Sequence, residues 1–326
     1  MSSPRSDDDA WMAATTRLAG RARPLCSPNP GVAALIVKEG RVIARGWTQS
    51  GGRPHAEAVA LSQIEGGDAR GMTVYVSLEP CAHRSERGPS CTDLLIKAAP
   101  ERVVIGIADP DPRTSGQGQQ QLEQAGIKTT LLNHKAARDS LAGYLTKRRL
   151  NRPFVTLKLA MSIDGCIALA DGSSEWITGE QARAHVHAQR ARNDAILVGG
   201  GTWRADNPRL DVRLPGLEDR SPKRILLTRG VAPDGVTIIN RPDQIESLDG
   251  INYLYVEGGA QAAASFLKDD LVDEIHLYRA PILIGDGLRG LGPLELEALD
   301  ATHGRWLPAD NRQLGSDQFT AYLRQR

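Results

Sequence analysis

At 326 residues the chain is long enough for two domains of ordinary size, each with its own core. Hydrophobic residues at 40%, charged residues at 24% and a formal net charge of +1 fit a globular protein and give no bulk attraction to nucleic acid or a membrane surface. No apolar run approaches the roughly 20 residues of a bilayer span, and the polar, acidic start from Met1 to Ala10 lacks the form of a secretory signal, so the expected compartment is the cytoplasm.

In chain order, Val32 to Lys38 and Arg41 to Ala44 read as strands joined by the turn pair Glu39-Gly40. His55 to Ile64 reads as a helix, Met72 to Leu78 as a strand, Thr92 to Ala98 as a helix and Arg102 to Ile107 as a strand. Gln117 to Gln124 is a helix closed by Gly126, and Ile127 to Leu132 a strand. Strands alternating with helices predict a sheet of parallel strands. The basic run Lys147-Arg148-Arg149 and the turn-like Asn151-Arg152-Pro153 read as a solvated linker, which divides the chain into domains 1–147 and 148–326. Beyond it, strands are expected at Phe154 to Ala160, Ala195 to Val198, Arg224 to Leu227, Tyr253 to Val256 and Glu274 to Leu277. Helices are expected at Gly179 to Arg192 and Ala260 to Leu267, with Gln318 to Arg324 as an edge strand.

Four cysteines, Cys26, Cys81, Cys91 and Cys166, are poor disulfide candidates in a reducing compartment. Two of them share a region with His55-Ala56-Glu57 and Glu79-Pro80-Cys81. Zinc held by one His and two Cys leaves a fourth position open and brings the pKa of its water to about 7. In zinc deaminases the Glu two residues after the ligand His moves the proton and is not a ligand. His55, Cys81 and Cys91 are therefore the candidate ligands and Glu57 the candidate proton carrier. The two helix starts expected at His55 and near Cys91 favour thiolate over thiol. His83 either replaces a cysteine as ligand or, in the preferred reading, lines the substrate pocket.

His55-Ala56-Glu57 and Glu79-Pro80-Cys81-Ala82-His83 resemble the deaminase half of the bifunctional riboflavin-biosynthesis deaminase–reductase family. So do the loop Ser27-Pro28-Asn29-Pro30-Gly31-Val32, Asp109-Pro110-Asp111-Pro112 and Gly116-Gln117-Gly118. The resemblance implies that Asn29 contacts a pyrimidine. The interval from Cys81 to Cys91 is one residue longer than the family's and far longer than the Cys-X-X-Cys of nucleic-acid deaminases. Thr48 stands after Gly46-Trp47 where the family often has His.

The second half resembles the same family's reductase domain in Leu157-Lys158-Leu159-Ala160-Met161-Ser162-Ile163-Asp164-Gly165 and Ser174-Glu175-Trp176-Ile177-Thr178. Further matches are Gly199-Gly200-Gly201-Thr202, Ala205-Asp206-Asn207-Pro208-Arg209-Leu210 with Arg213, and Val256-Glu257-Gly258-Gly259. The resemblance runs from about residue 11 to about residue 290. It implies a cytidine-deaminase-like three-layer α/β domain followed by a dihydrofolate-reductase-like domain. It also implies zinc and NADPH as cofactors, and a pyrimidine ribose phosphate as substrate. Cofactor contacts are implied for Ala160, Trp176, Thr202, Asp206, Gly258 and Gly259, and substrate contacts for Ser174, Arg190, Leu210, Arg213 and Glu257. The expected activity is deamination of 2,5-diamino-6-(5-phosphoribosylamino)pyrimidin-4(3H)-one followed by reduction of its ribose to a ribityl chain. The competing reading is a deaminase whose second domain is structural. No nucleic acid or membrane partner is expected, and the family usually forms homo-oligomers, dimer or tetramer, through the reductase domain. After Arg224 to Leu227 the family often has Asp-Ser where this chain has Thr228-Arg229.

Overall fold

The computed structural model describes residues 4–83, 88–174, 177–231 and 233–326. The chain divides into two compact units, Met1–Asn151 and Arg152–Arg326. No described helix is long and apolar enough to cross a membrane.

The first unit is built on strands β1 (Ala33–Lys38), β2 (Arg41–Trp47), β3 (Thr73–Val76), β4 (Arg102–Ile105) and β5 (Lys128–Leu131), in the order β2-β1-β3-β4-β5. Helices are α1 (Pro4–Ala19), α2 (Ala56–Leu61), α3 (Cys91–Ala98), α4 (Gln117–Gln124), α5 (Lys135–Ser140) and α6 (Ala142–Leu150). Successive side chains of β1 point to opposite faces. Ala34 and Ile36 enter one core with Val74, Val76, Leu95 and Leu122, while Leu35 and Val37 enter another with Met12 and Tyr75. Both faces are covered, which makes three layers. The expectation of parallel strands holds for β3, β4 and β5 and fails at β1, which runs antiparallel to both neighbours. The cause is the two-residue turn: Glu39 (φ 49°) and Gly40 (φ 71°) adopt the left-handed conformations of a tight hairpin, which can only join antiparallel strands.

The basic run read as a linker is the end of α6. Arg148 pairs with the buried Asp111 and lies 5.7 Å over the Tyr144 ring, whose hydroxyl donates to Asp109 Oδ1 at 2.8 Å.

The second unit carries β6 (Phe154–Ser162), β7 (Cys166–Ala168), α7 (Glu180–Arg190), β8 (Ala195–Gly199), α8 (Gly200–Asp206), β9 (Lys223–Leu227) and β10 (Thr237–Ile239). It continues with β11 (Tyr253–Val256), α9 (Ala260–Lys268), β12 (Glu274–Ala280), β13 (Leu288–Arg289), β14 (Trp306–Leu314) and β15 (Asp317–Arg324). Eight strands form one sheet in the order β10-β9-β8-β11-β6-β12-β15-β14, and β7 and β13 make a separate ribbon. From β10 to β12 every pairing is parallel. The inner strands are buried on both faces: in β8, Ala195 and Leu197 enter one core, Ile196 and Val198 the other. Parallel order brings the carboxyl ends of β6, β8 and β11 to one edge of the sheet, where ligands of open α/β sheets bind. Gln318 to Arg324 is not an edge: β15 lies between β12 and β14. The true edge, β14, is exposed along most of its length and has a register shift at Pro308/Asp310, so its sequence lacks the apolar alternation that marks a strand.

Candidate functional site

In the first unit the chain folds to bring three donors together. His55 is the residue before α2, and Cys91 is the first residue of α3. Ser90 caps α3 reciprocally: its hydroxyl accepts from Asp93 N at 3.0 Å, while Asp93 Oδ2 accepts from Ser90 N at 3.4 Å. His55 Nδ1 lies 3.2 Å from Cys91 Sγ and 3.6 Å from Cys81 Sγ. The three ligand atoms lie within 4.8 Å of one another. Zinc–nitrogen and zinc–sulfur bonds of ordinary length at a tetrahedral angle set N and S about 3.5 Å apart, so the donor set and its spacing fit zinc.

Cys91 N donates to Cys81 Sγ at 3.3 Å. Hydrogen bonding from Cys91, and then from His55, pulls the Cys81 thiol down to about 4. Glu57, in the first turn of α2, is 3% exposed. Burial, and next the Cys81 charge, push its carboxyl up, the direction that suits a group that must pick up and release a proton near neutrality.

Asn29 is packed against Gly52 in the turn that leads to His55. Gly52 has φ +84°, and a Cβ there would sit 1.5 Å from the Asn29 amide nitrogen. Gly51 N donates to Leu25 O at 2.9 Å and ties the same two loops. His83 is partly buried, and its Nδ1 has no hydrogen-bond partner among the described residues. The following residues, 84–87, where the chain departs from the family spacing, lie outside the described residues.

Sequence reasoning gave Glu79 no role of its own. Its buried carboxylate accepts from the backbone N–H groups of Asp109 (3.2 Å), Gly116 (3.1 Å), Gly118 (3.1 Å) and Gln119 (3.3 Å). It thereby fixes the loop that holds Asp109 and Asp111 against the strand end carrying Cys81. A Cβ on Gly118 would meet Pro80 O at 2.2 Å, so this loop packs directly on the residue before the ligand.

In the second unit a cavity of about 470 Å³ opens at the strand ends. Its wall brings together Ala160, Ser174, Arg190, Thr202, Asp206, Arg213, Glu257, Gly258 and Gly259 of the expected residues. Trp176 lies outside the described residues. Leu210 is not in this wall; it is 3% exposed and packs in the core with Val186 and Tyr255. The centre of the wall is a buried charge cluster. Arg190 donates to Glu257 through Nε (2.6 Å) and Nη2 (3.0 Å), and through Nη1 to Asp211 O (3.0 Å). Lys158 Nζ stands 3.8 Å from Glu257 Oε2. Burial lowers the Lys158 ammonium pKa, opposed by Glu257. Lys158 has the signal that the sequence reading passed over, a cation within the apolar strand Leu157-Lys158-Leu159.

A second cavity of about 880 Å³ is lined by Gly199 to Thr202, Gly259 to Ala262 at the start of α9, and Leu288, Arg289 and Leu291 to Pro293. Gly259 N donates to Thr202 Oγ1 at 3.1 Å. The two cavities share Ile167, Gly201, Thr202, Gly259 and Leu288. A cleft walled by glycine backbone and a helix start suits the phosphates of a dinucleotide.

Two family descriptions match the chain: the cytidine and deoxycytidylate deaminase zinc-binding region over residues 5–107, and the RibD C-terminal domain over residues 153–312. The riboflavin biosynthesis protein RibD of Haemophilus influenzae is 35% identical over 97% of this chain and 97% of its own length. That of Corynebacterium ammoniagenes is 41% identical over 80% of this chain and 82% of its own. Among solved structures, Acinetobacter baumannii RibD superposes with a TM-score of 0.86 at 33% identity, covering 98% of this chain and 99% of that one. A diaminohydroxyphosphoribosylaminopyrimidine deaminase/5-amino-6-(5-phosphoribosylamino)uracil reductase from Thermotoga maritima reaches 0.85 at 29% identity, covering 98% and 99%.

Proposed function

The chain belongs to the family of the riboflavin biosynthesis protein RibD, and from that premise we propose that it performs two consecutive reactions of riboflavin biosynthesis. The first is hydrolytic deamination of 2,5-diamino-6-(5-phosphoribosylamino)pyrimidin-4(3H)-one to 5-amino-6-(5-phosphoribosylamino)uracil. The second is reduction of the ribose of that product to the ribityl chain. The observation that carries the reading is the convergence of His55, Cys81 and Cys91 beside the buried Glu57.

His55, Cys81 and Cys91 would hold zinc, which would supply an activated water at neutral pH. Glu57 takes the proton of the attacking water on its carboxylate and delivers it to the amine that leaves as ammonia. Asn29 and His83 hold the pyrimidine at the mouth of the site. Replacing Gly52 by Ala is expected to displace Asn29, because the new Cβ collides with its amide. The KM for the diaminopyrimidine should rise about tenfold, a loss of about 1.4 kcal/mol, while zinc content and reduction of supplied intermediate stay unchanged. Steady-state kinetics of the purified variant checks this.

In the second unit NADPH supplies the hydride, and the protein binds and orients both reactants. Gly258, Gly259, Thr202, Asp206 and Ala160, with Trp176, are the residues assigned to the cofactor. Ser174, Arg213 and Glu257 are assigned to the substrate, while Leu210, packed in the core with Val186 and Tyr255, is not. Arg190 has its guanidinium donors committed to Glu257 and Asp211 O, so its part is to orient the Glu257 carboxylate toward the ribose hydroxyls. Arg213, with a side chain 56% exposed, is the better placed of the two for phosphate. The charge cluster beside a dinucleotide-sized cleft favours an active second unit over a purely structural one.

Homo-oligomerisation through the reductase domain is supported by apolar side chains that this unit leaves in solvent, Leu283 at 75% and Leu299 at 77%. A cytoplasmic location is supported by the two thiols assigned to zinc, Cys81 and Cys91, which must stay reduced to hold it.

The deciding experiment gives purified protein the diaminopyrimidine ribose phosphate with and without NADPH, with zinc measured on the same sample. One zinc per chain, a deaminated product without NADPH and a reduced product with it are expected. Deamination without NADPH consumption would reduce the second unit to a scaffold.

A further inference from the structure

Asp164 belongs to a motif whose chemistry the two reactions leave unused. It stands between the end of β6 and the start of β7, and its carboxylate is directed at the loop after β12. Gly285 N donates to Asp164 Oδ2 at 2.7 Å, and Ile284 N lies 3.2 Å from the same oxygen and 3.3 Å from Oδ1. Ser162 Oγ donates to Oδ1 at 2.5 Å and itself accepts from Cys166 N at 2.9 Å, which fixes the carboxylate from behind. That hydroxyl, and then the Gly285 amide, hold the carboxyl at about 2, so it is ionised throughout the neutral range.

The same short turn makes further ties. Arg289 Nη1 donates to Asp164 O at 2.5 Å, Gly290 N to Gly165 O at 2.9 Å and Ile163 N to Ile282 O at 2.9 Å. The β7–β13 pairing, with Leu288 opposite Ala168 and Arg289 opposite Cys166, closes the connection. Little slack is left: a Cβ on Gly287 would meet Ala168 O at 2.4 Å, and one on Gly290 would meet Met161 Cε at 2.9 Å. The held segment forms walls of both cavities, Leu288, Arg289 and Leu291 to Pro293 in the larger and Leu288 with Gly290 in the smaller.

We propose that Asp164 is a positioning residue for reduction, a carboxylate latch that fixes segment 282–293 as the wall of the dinucleotide cleft. The proposal rests on the reading that NADPH occupies this cleft. The latch acts through backbone amides, so it sets the cleft's shape rather than contacting the reactants. A wall displaced by about 1 Å can cost up to about 100-fold where reactants must be aligned.

The test uses the full-length, zinc-loaded chain with Asp164→Ala and Asp164→Asn. NADPH affinity is measured by quenching of protein fluorescence, reductase kinetics on supplied intermediate, and deamination as an internal control for folding. Hydrogen exchange at the Ile284 and Gly285 amides is followed without cofactor. The expected result is faster exchange at these two amides and an NADPH Kd raised about 10- to 100-fold in Asp164→Ala. The KM for NADPH should rise more than kcat falls, and deamination should be unchanged. Asp164→Asn keeps one acceptor oxygen and should fall between Ala and wild type, which separates loss of the latch from loss of the fold. Wild-type exchange at both amides, or a wild-type NADPH Kd in Asp164→Ala, overturns the proposal. If the unaltered protein binds no NADPH, the cofactor reading itself fails, and the exchange measurement still shows whether the carboxylate holds the loop.

Discussion

Glu57→Gln is expected to keep its zinc and lose deamination, with kcat reduced by about 10²- to 10⁴-fold, the usual contribution of a positioned acid–base group. The side chain is buried in the first turn of α2, and glutamine matches its size, so the three ligands stay in place. What disappears is the ability to accept and return a proton. Reduction of supplied deaminated intermediate should proceed at the wild-type rate. The folding consequence has the opposite sign from most active-site substitutions. Burial raises the Glu57 pKa above its unfolded value, so at pH 7, above that unfolded value, burying this carboxyl costs the native state stability. In zinc-free protein the glutamine variant should therefore melt no lower than wild type. Ammonia release, metal analysis and a thermal scan check the three parts. Ammonia release near the wild-type rate would remove Glu57 from the mechanism.

Arg190→Ala is expected to be the most damaging single change in the second unit. The Arg190 and Glu257 side chains are 11% and 7% exposed, and the guanidinium donates twice to that carboxylate and once to Asp211 O. Removing one partner of a buried pair typically costs about 3–5 kcal/mol because the other charge is left without compensation. Lys158, 3.8 Å from the same carboxylate, offsets part of this, so a loss near the lower end, about 3 kcal/mol, is expected. Reduction should fall about 100-fold or more, since Glu257 loses its orientation. Deamination should persist, because its ligands lie in the other compact unit. Denaturant unfolding and both turnover assays on one preparation check this. Retained reduction would show that Glu257 needs no partner to be oriented.

The zinc site was legible because its residues sit in short motifs: His55 and Glu57 are two apart, and Cys81 ends a recognisable strand–loop. What stayed hidden depends on partners distant in sequence. Helix α1 begins with a polar stretch that looks like a solvated tail, yet Asp8 is buried, accepts from Tyr75 OH at 2.8 Å and pairs with Arg102. Arg148 likewise looks like a linker residue until Asp111 is placed beside it. Glu79 and Asp164 fall within motifs, but both accept from backbone amides, and amides carry no signature of residue type. Leu210 matched a family position, and its φ of 56° with full burial makes it a corner of the core.

The fixing of the two thiol ligands also explains how the chain tolerates its unusual spacing. Cys91 is held by the Ser90–Asp93 cap, and Cys81 by the Pro80–Gly118 contact and the loop that Glu79 anchors. Apart from Ser90, these devices draw on residues outside the interval between the cysteines. The two ends are held by these contacts and tied to each other by Cys91 N donating to Cys81 Sγ at 3.3 Å, so the cost of one added residue between them is taken as loop-closure entropy. On the logarithmic length dependence, going from eight to nine linking residues costs about 0.1 kcal/mol, far below what any ligand contact contributes. Length at this point is therefore nearly free to vary in the course of sequence change, whereas a substitution at Ser90, Gly118 or Glu79 moves a ligand.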